Sequence, residues 1–439
     1  MKVLKFGGTS VGSAQRMKEV AKLITDGERK IVVLSAMSGT TNTLVEISDY
    51  LYKKNPEGAN EIINKLESKY RQHIDELFAT PEYKQKGLEL IKSHFDYIRS
   101  YTKDLFTLFE EKVVLAQGEL ISTAMMNYYL QECGVKSVLL PALEYMRTDK
   151  NAEPDPVYIK DKLQVQLELH PDAEIYITQG YICRNAYGEI DNLQRGGSDY
   201  TASLIGAAIN ASEIQIWTDI DGMHNNDPRI VDKTAPVRHL HFEEAAELAY
   251  FGAKILHPTC IQPAKYANIP VRLLNTMDPT APGTLISNDT EKGKIKAVAA
   301  KDNITAIKIK SSRMLLAHGF LRKVFEIFES YQTSIDMICT SEVGVSVSID
   351  NVKHLNEILD DLKKYGTVTV DKDMCIICVV GDLEWENVGF EAKALDAMLD
   401  IPVRMISFGG SNYNISFLIR ECDKKAALQS LSDALFNEE

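Results

Sequence analysis

The sequence opens with Met1-Lys2-Val3-Leu4-Lys5-Phe6, followed by Gly7-Gly8-Thr9-Ser10-Val11-Gly12, and this stretch decides the fold of the first part of the chain. Residues 3–6 form a short apolar strand, and apolar residues then recur with helical spacing from Met17 to Ile24. The glycine pair therefore lies at a strand-to-helix turn, where a backbone can approach a ligand closely. Free amides expected to open the helix at Thr9 to Ser13 complete a predicted anion site, and phosphate is the expected ligand.

Lys5 precedes these glycines, whereas a P-loop carries its lysine after them and a dinucleotide fingerprint requires G-x-G-x-x-G. The stretch thus predicts another kind of phosphate-binding turn. A tight turn without a ligand is the alternative, because glycine is common at such positions.

Composition restricts the classes of partner. The chain has 439 residues, 45% of them apolar, and a net charge of -13, which argues against nucleic acid or an anionic membrane as a partner. No apolar run approaches the roughly 20 residues of a membrane span. A strand begins at the N-terminus with no signal peptide ahead of it, and seven scattered cysteines are typical of reduced thiols, so we expect a cytoplasmic protein.

Strand and helix patterns alternate through the first 290 residues and predict an α/β domain with a mostly parallel sheet between helices. Residues 50–112 are predicted to form a helical excursion, and Gln117 to Ser122 to open another helix with Glu119 near its start. A second glycine pair, Gly196-Gly197, leads into a helix that carries Asp199 at or beside its start.

The pattern changes after the turn-rich stretch 275–288, and a βαββα unit follows twice. Only the first copy has its own closing strand, so the second is expected to borrow residues 295–299. The predicted division is 1–290, then 304–371 and 372–439. We interpret Cys375 and Cys378, and the pair His239 and His241, as structural rather than metal-binding.

Four cations (Lys5, Arg195, Arg229, Lys254) and three acids (Glu119, Asp199, Asp219) are predicted at turns of the first domain. This set suits phosphoryl transfer, which depends on positioning and on neutralising charge. In sequence order, K-F-G-G-T-S-V-G, S-A-M-S-G-T-T-N, G-E-L-I-S, R-G-G-S-D-Y-T-A, T-D-I-D-G and F-G-A-K-I-L-H-P resemble the motifs of the aspartokinase family. The resemblance spans the chain and implies an amino-acid-kinase domain followed by two ACT modules of βαββαβ type.

The resemblance implies transfer of the γ-phosphoryl group of ATP, with Mg²⁺, to the side chain of L-aspartate, the first step towards lysine, threonine and methionine. The acceptor carboxylate has a reference pKa near ~3.9 and needs no general base. Lys5 and Asp199 are the implied catalytic pair. The implied aspartate contacts are Thr41, Glu119, Arg195, Gly196, Gly197 and Ser198. The implied nucleotide contacts are Lys5, Gly7, Gly8, Thr9, Ser10, Thr218, Asp219, His224, Arg229 and Lys254, although relatives often carry a tyrosine in place of His224.

By the same resemblance, the first ACT module binds a feedback effector and the modules form a homodimer, with a tetramer left open. The implied effector residues are Met314, His318, Gly319, Phe320, Leu321, Ser334, Ile335, Asp336, Thr340, Ser341 and Glu342. Asp336 and Glu342 favour lysine, but Ala317 replaces a serine common in lysine-sensitive relatives, which leaves threonine or methionine open. A kinase acting on glutamate and a catalytically silent amino-acid sensor are the alternative functions.

Overall fold

The computed structural model describes residues 1–193, 196–251, 256–311 and 318–436. The strands are β1 Lys2–Phe6, β2 Lys30–Leu34, β3 Ser137–Leu140, β4 Ile175–Gln179, β5 Ile182–Arg184, β6 Ile190–Asn192, β7 Ile214–Thr218, β8 Met223–His224, β9 Pro236–Val237, β10 His239–His241, β11 Val271–Asn275, β12 Thr284–Ser287, β13 Ile295–Lys310, β14 Met337–Ser341, β15 Gly344–Ile349, β16 Thr367–Gly381, β17 Val403–Ser407 and β18 Asn414–Arg420.

The helices are α1 Ala14–Ile24, α2 Thr40–Tyr52, α3 Pro56–Leu77, α4 Pro81–Ser100, α5 Leu108–Glu132, α6 Ala142–Tyr145, α7 Pro156–Glu168, α8 Gly197–Ile209, α9 Phe242–Tyr250, α10 Gln262–Tyr266, α11 Phe320–Ser330, α12 Leu355–Leu362, α13 Phe390–Ala397 and α14 Lys424–Phe436, with 3-10 turns at Pro258–Ile261 and Glu421–Asp423. Two compact units comprise Met1–Met223 with Ile255–Asn288, and His224–Lys254 with Asp289–Glu439.

The sheet of the first unit has the strand order β12-β11-β7-β1-β2-β4-β3 and is parallel except for β12. Phe6 at the end of β1 is in register with Leu34 of β2 and Trp217 of β7, and Leu34 with Gln179 of β4. Because parallel strands share their carboxyl edge, the loops that follow these four strands lie side by side. The predicted α/β fold with a mostly parallel sheet is confirmed.

The core of the first unit is built by β1, β2 and the helices α1 to α5, whose buried apolar side chains form one cluster. The helical excursion after Tyr50 is confirmed as parts of α2 to α5. The prediction that a helix opens at Gln117 is wrong, because α5 begins at Leu108 and Thr107 and Glu110 form its capping box. Glu119 therefore lies in the middle of a helix. The first helix also begins later than expected, since Ser13 caps α1 and residues 9–13 form the turn before it.

The second unit contains the antiparallel sheet β14-β15-β13-β16-β18-β17. The sequence patterns at 295–299 and 304–309 are parts of one long strand, β13, and those at 367–370 and 374–380 are parts of β16. Ala299 pairs with Cys378, and Ile309 with Val368, with register shifts between these two regions. Two apolar clusters lie on this sheet, one with α11 and α12 and one with α13 and α14.

Across the part of the chain that the structure describes, no helix combines the length and the apolar character that a membrane-spanning helix requires.

Candidate active site

The turn after β1 approaches the turn after β2 closely. Ser35 N–H donates to Phe6 O (3.2 Å) and Ser38 N–H donates to Gly8 O (3.1 Å). A Cβ on Gly8 would stand 2.8 Å from Ala36 O, which is closer than real Cβ atoms come to backbone. Glycine at position 8 is therefore required for the loops after β1 and β2 to meet. Gly8 thus has a packing role in addition to any role in binding a ligand.

The predicted catalytic pair is in direct contact. Lys5 Nζ lies 2.8 Å from Asp199 Oδ1, and the two side chains are 12% and 16% exposed. The contact is an ion pair rather than an aligned hydrogen bond, because Asp199 Oδ1 has no partner in hydrogen-bond geometry. Lys5 comes from β1 and Asp199 from the first turn of α8, so two separate motifs of the sequence meet at one point. A Cβ on Gly7 would lie 3.5 Å from Lys5 Nζ, which places the ammonium beside the glycine turn.

The start of α8 offers backbone donors. Gly196 is its N-cap in the left-handed region (φ 83°) and no side chain caps the helix. Gly197 also has a positive φ of 49°, and Ser198 accepts a hydrogen bond from Ser35 Oγ at 2.9 Å. An uncapped helix start favours an anion, because its first amides lack partners within the helix.

Glu119 projects from α5 towards the loop after β2 and is only 4% exposed. Its Oε1 accepts a hydrogen bond from Ala36 N–H at 3.3 Å, whereas its buried Oε2 has no hydrogen-bond partner among the described residues. Burial raises the pKa of Glu119 to about 7, and the hydrogen bond from Ala36 only partly opposes this. A buried carboxylate with a free oxygen is suited to bind a cationic group.

Other predicted residues of the first unit differ in availability. Thr41 is exposed in the first turn of α2, which has Gly39 as an uncapped, left-handed N-cap. Thr9 and Asp219 are exposed, and Thr218 ends β7. Ser10 is 1% exposed and its hydroxyl bonds to Thr276 Oγ1 at 2.8 Å, so this side chain already has a structural partner.

His224 and Arg229 belong to the second unit. The ring of His224 bonds to Thr234 Oγ1 at 3.0 Å. Arg229 is exposed and holds both carboxylate oxygens of Asp227, at 2.9 and 2.7 Å. The predicted contacts Arg195 and Lys254 lie outside the described residues.

The predicted effector residues also lie in the second unit, except that Met314 falls outside the described residues, as does Ala317, the residue that departs from the serine of relatives. Gly319 is the left-handed, uncapped N-cap of α11, which begins with Phe320 and Leu321, and His318 is exposed. Four more residues of the predicted set have exposed side chains, namely Ser334, Thr340, Ser341 and Glu342, and Ile335 is half-buried.

Asp336 differs from these residues because its side chain is fully buried. Its Oδ1 lies 2.8 Å from Lys301 Nζ and accepts a hydrogen bond from Tyr250 Oη at 2.8 Å. Lys301 also reaches Asp350 at 3.0 Å and lies 4.4 Å from the centre of the Tyr250 ring. Asp336 therefore already has a cationic partner from its own chain, which the sequence pattern did not indicate.

Sequence reasoning also missed Gly180 and Ser122. A Cβ on Gly180 would lie 2.2 Å from Ser198 Oγ, and Ser122 Oγ donates to Ser35 O at 2.8 Å. Gly180 directly follows a buried strand, which is the signal that could have revealed it. Ser122 occupies one position of a long helix and carried no such signal.

Within the described residues, no group of three or more histidine, cysteine or acidic side chains could hold a metal ion. His241 caps α9 by accepting from Glu243 N–H, and its ring stacks on Tyr413. Cys375 and Cys378 are fully buried in β16, where burial raises the pKa of both thiols.

Models of two known families match this chain. The model of the amino acid kinase family matches residues 1–275, and an ACT domain model matches residues 377–435. The chain is 35% identical to chloroplastic aspartokinase 1 of Arabidopsis thaliana, over 99% of this chain and 80% of that protein. It is 32% identical to lysine-sensitive aspartokinase 3 of Escherichia coli K12, over 99% of both chains.

The fold is also similar to a solved structure over its whole length. The crystal structure of E. coli aspartokinase III in complex with aspartate and ADP superposes with a TM-score of 0.84 at 31% identity, covering 99% of this chain and 100% of that one.

Proposed function

This chain belongs to the aspartokinase family, and we propose that it transfers the γ-phosphoryl group of ATP to the β-carboxylate of L-aspartate, giving 4-phospho-L-aspartate. The observation that carries the proposal is the Lys5 to Asp199 contact of 2.8 Å beside the glycine turn. The same unit holds Glu119, a buried carboxylate with a free oxygen. Together they provide a cation for a phosphoryl group and an anion for an amino acid.

Lys5 neutralises negative charge on the phosphoryl group during transfer, and Asp199 holds the ammonium of Lys5 in place. The acceptor carboxylate is ionised at neutral pH and needs no general base. The main barrier is repulsion between two anions, which a fixed cation lowers most in the transition state. The uncapped start of α8 adds oriented N–H donors on the same side as Asp199.

Glu119 binds the α-ammonium of aspartate through Oε2, and Arg195 grips a carboxylate with two parallel hydrogen bonds. The amides of Gly196 and Gly197, Ser198 and Thr41 complete the aspartate pocket. Support for Glu119 comes from its burial and free oxygen, and support for Ser198 from its position next to Asp199.

The nucleotide contacts that we propose are backbone groups at Gly7, Gly8 and Thr9, with Thr218 and Asp219 at the end of β7. Ser10 contributes its backbone, because its hydroxyl bonds to Thr276. His224, Arg229 and Lys254 are proposed from family resemblance. Mg²⁺, bound with ATP, would further neutralise the phosphates. In proteins, Mg²⁺ usually keeps several waters and binds one or two carboxylates. Asp199, the carboxylate of the Lys5–Asp199 pair, is therefore the side chain that we propose as its ligand.

For regulation, we propose domains 1–290, 304–371 and 372–439, with lysine as the feedback effector bound at the first ACT module. The uncapped N-terminus of α11 at Gly319 supports an α-carboxylate site there. The similar E. coli protein is named as lysine-sensitive. We further propose a cytoplasmic enzyme that forms homodimers, or tetramers built from them, through the ACT modules.

A coupled assay of ADP release tests the proposal with aspartate and glutamate as parallel acceptors, each with and without lysine, threonine or methionine. We expect turnover with aspartate and inhibition by lysine. Turnover with glutamate but not with aspartate would show that glutamate is the acceptor. No turnover by a folded protein that still binds lysine would favour an amino-acid sensor.

A further inference from the structure

A cavity lies in the first unit, between α7 and the hairpin formed by β5 and β6. Its volume is about 260 Å³, and it shares no lining residue with the proposed aspartate or nucleotide contacts. The lining residues are Leu143, Met146, Arg147, Tyr158, Arg184, Asn185, Ala186, Tyr187 and Gly188.

Two arginines face this cavity in different states. Arg184 is fixed by the backbone, because its Nε donates to Leu143 O (3.0 Å) and its Nη1 to Gly188 O (2.7 Å). The guanidinium of Arg147 lies 4.8 Å from the centre of the Tyr158 ring. Its Nη2 donates to Ala186 O at 3.5 Å, and its buried Nε has no hydrogen-bond partner within the described part of the chain. Arg147 is thus held in place with donor capacity left over.

The described residues that line the cavity include these two arginines and no acidic side chain. Among the described residues, none of the ion pairs involves Arg147 or Arg184, and Lys162 adds a third cation 5.9 Å from the Tyr158 ring centre. The carboxylate of Glu189 in the hairpin accepts from Asn185 Nδ2 at 2.8 Å instead. In a protein with a net charge of -13, two neighbouring guanidinium groups without a carboxylate partner form a local anion-binding environment.

We propose that this cavity binds a small oxyanion, carried as a phosphate or a carboxylate group, and that Arg147 is its principal ligand. Guanidinium groups bind both kinds of oxyanion through paired N–H donors. The volume of about 260 Å³ is just below the roughly 300–1,000 Å³ of pockets for drug-sized ligands, so the occupant that we propose is a small metabolite. The site is separate from the one proposed for ATP, because the two share no residue.

The test is thermal stabilisation of the full-length protein by inorganic phosphate and, in a second arm, by succinate, each against sodium chloride of equal ionic strength. A ligand that binds only the folded state raises the melting temperature in proportion to RT ln(1 + [L]/Kd). The measurements use a Lys5→Ala background with ADP present, so that phosphate does not report on the proposed active site. A negative result in this stabilisation test would leave the outcome of the aspartate assay unaffected.

Arg147→Met is the test variant. We expect it to weaken binding of whichever anion stabilises the parent by about tenfold or more. Arg29→Met is the matched control, because Arg29 also lies over a tyrosine ring, that of Tyr176 at 5.4 Å, and carries the same charge outside the cavity. We expect this control to bind as the parent does. Arg147→Lys provides a second variant that keeps the charge and loses the paired donors, and it should bind more weakly than the parent.

A response to phosphate alone or to succinate alone identifies which oxyanion binds and supports the proposal. If neither anion stabilises the parent beyond the chloride control, the proposal is wrong. It is equally wrong if both Arg147 variants, folded by circular dichroism, respond as strongly as Arg29→Met.

Discussion

The two units of the molecule each contain a lysine–aspartate ion pair with the same separation of 2.8 Å, Lys5 with Asp199 and Lys301 with Asp336. The first pair lies at an uncapped helix start and beside a glycine turn, and both of its side chains retain some exposure. The second is enclosed by Tyr250 and Asp350, and the side chain of Asp336 is fully buried. Equal distances therefore do not imply equal roles. We interpret the first pair as catalytic and the second as structural.

Replacing Lys5 with alanine should have the largest effect. We expect turnover to fall by about 10²–10³-fold or more, because Lys5 acts on charge that develops in the transition state. We expect the variant to fold with some loss of stability, since the side chain of Asp199 is partly exposed but its Oδ1 is buried. Steady-state kinetics with circular dichroism measures both. Near-normal turnover by a folded variant would remove Lys5 from the catalytic pair.

Glu119→Gln sharpens the comparison, because Glu119 is a buried carboxylate without a cation of its own. We expect the loss of this carboxylate to weaken the binding of aspartate by about 2–5 kcal/mol, the usual cost of removing one partner of a desolvated charged pair. The binding of ATP should change little. Michaelis constants for both substrates decide this. Equal changes in the two constants would place Glu119 outside the aspartate pocket.

Lys301→Met should reverse the pattern of Lys5→Ala, with stability reduced and uninhibited turnover retained. Breaking a buried pair costs about 3–5 kcal/mol, and we expect about 2–3 kcal/mol here because Lys301 and Asp350 are partly exposed. Urea denaturation measures the loss. Lys2→Met is the control, because its pair with Glu28 is exposed and such pairs contribute at most about 1 kcal/mol. Similar stabilities of the two variants would contradict the structural role.

Local sequence patterns predicted the two βαββα units, which the structure shows as β13, α11, β14, β15 and α12 and then as β16, α13, β17, β18 and α14, because apolar residues recur there with regular spacing. The start of α5 was not predicted, since the residues from Leu108 to Gln117 favour helix as strongly as those after them. The contacts of Asp336 could not be predicted either. Lys301 and Tyr250 are distant in sequence, and only the fold brings them to the same carboxylate.

The candidate site was predicted unevenly for the same reason. Lys5 and Asp199 follow from motifs at a strand and a helix start together with family resemblance, and the structure places them against each other. Glu119 was predicted at a helix start but lies in the middle of α5, so family resemblance alone supports its role. The charge state of Glu119 depends instead on its burial, which a motif does not specify. Its pKa of about 7 distinguishes it from an ordinary surface glutamate.

The pH dependence of stability gives the smallest and most specific test of that burial. Because the folded-state pKa of Glu119 is raised to about 7, the folded protein holds this proton more tightly than the unfolded chain does. Its contribution to stability is therefore complete below the unfolded pKa, near ~4.3, and is lost as the pH rises through 7. Without aspartate, Glu119→Gln should differ less from the parent at pH 5 than at pH 8, where it should melt a few degrees higher.

Glu67 provides the control of opposite sign. It is also buried in the first unit, but Arg99 and Arg71 outweigh the effect of burial and lower its pKa. Glu67→Gln should therefore destabilise the protein at pH 8 and about as much at pH 5, because the contribution of Glu67 is lost only below its unfolded-state pKa, near ~4.3, as the pH falls through the lowered folded-state pKa. Saturating aspartate should remove the higher melting temperature of Glu119→Gln at pH 8, because the ammonium of aspartate then pairs with the Glu119 carboxylate of the parent. Differential scanning calorimetry at pH 5 and pH 8 measures all three proteins, and a Glu119→Gln variant that melts below the parent at pH 8 without aspartate would contradict an unpaired buried carboxylate.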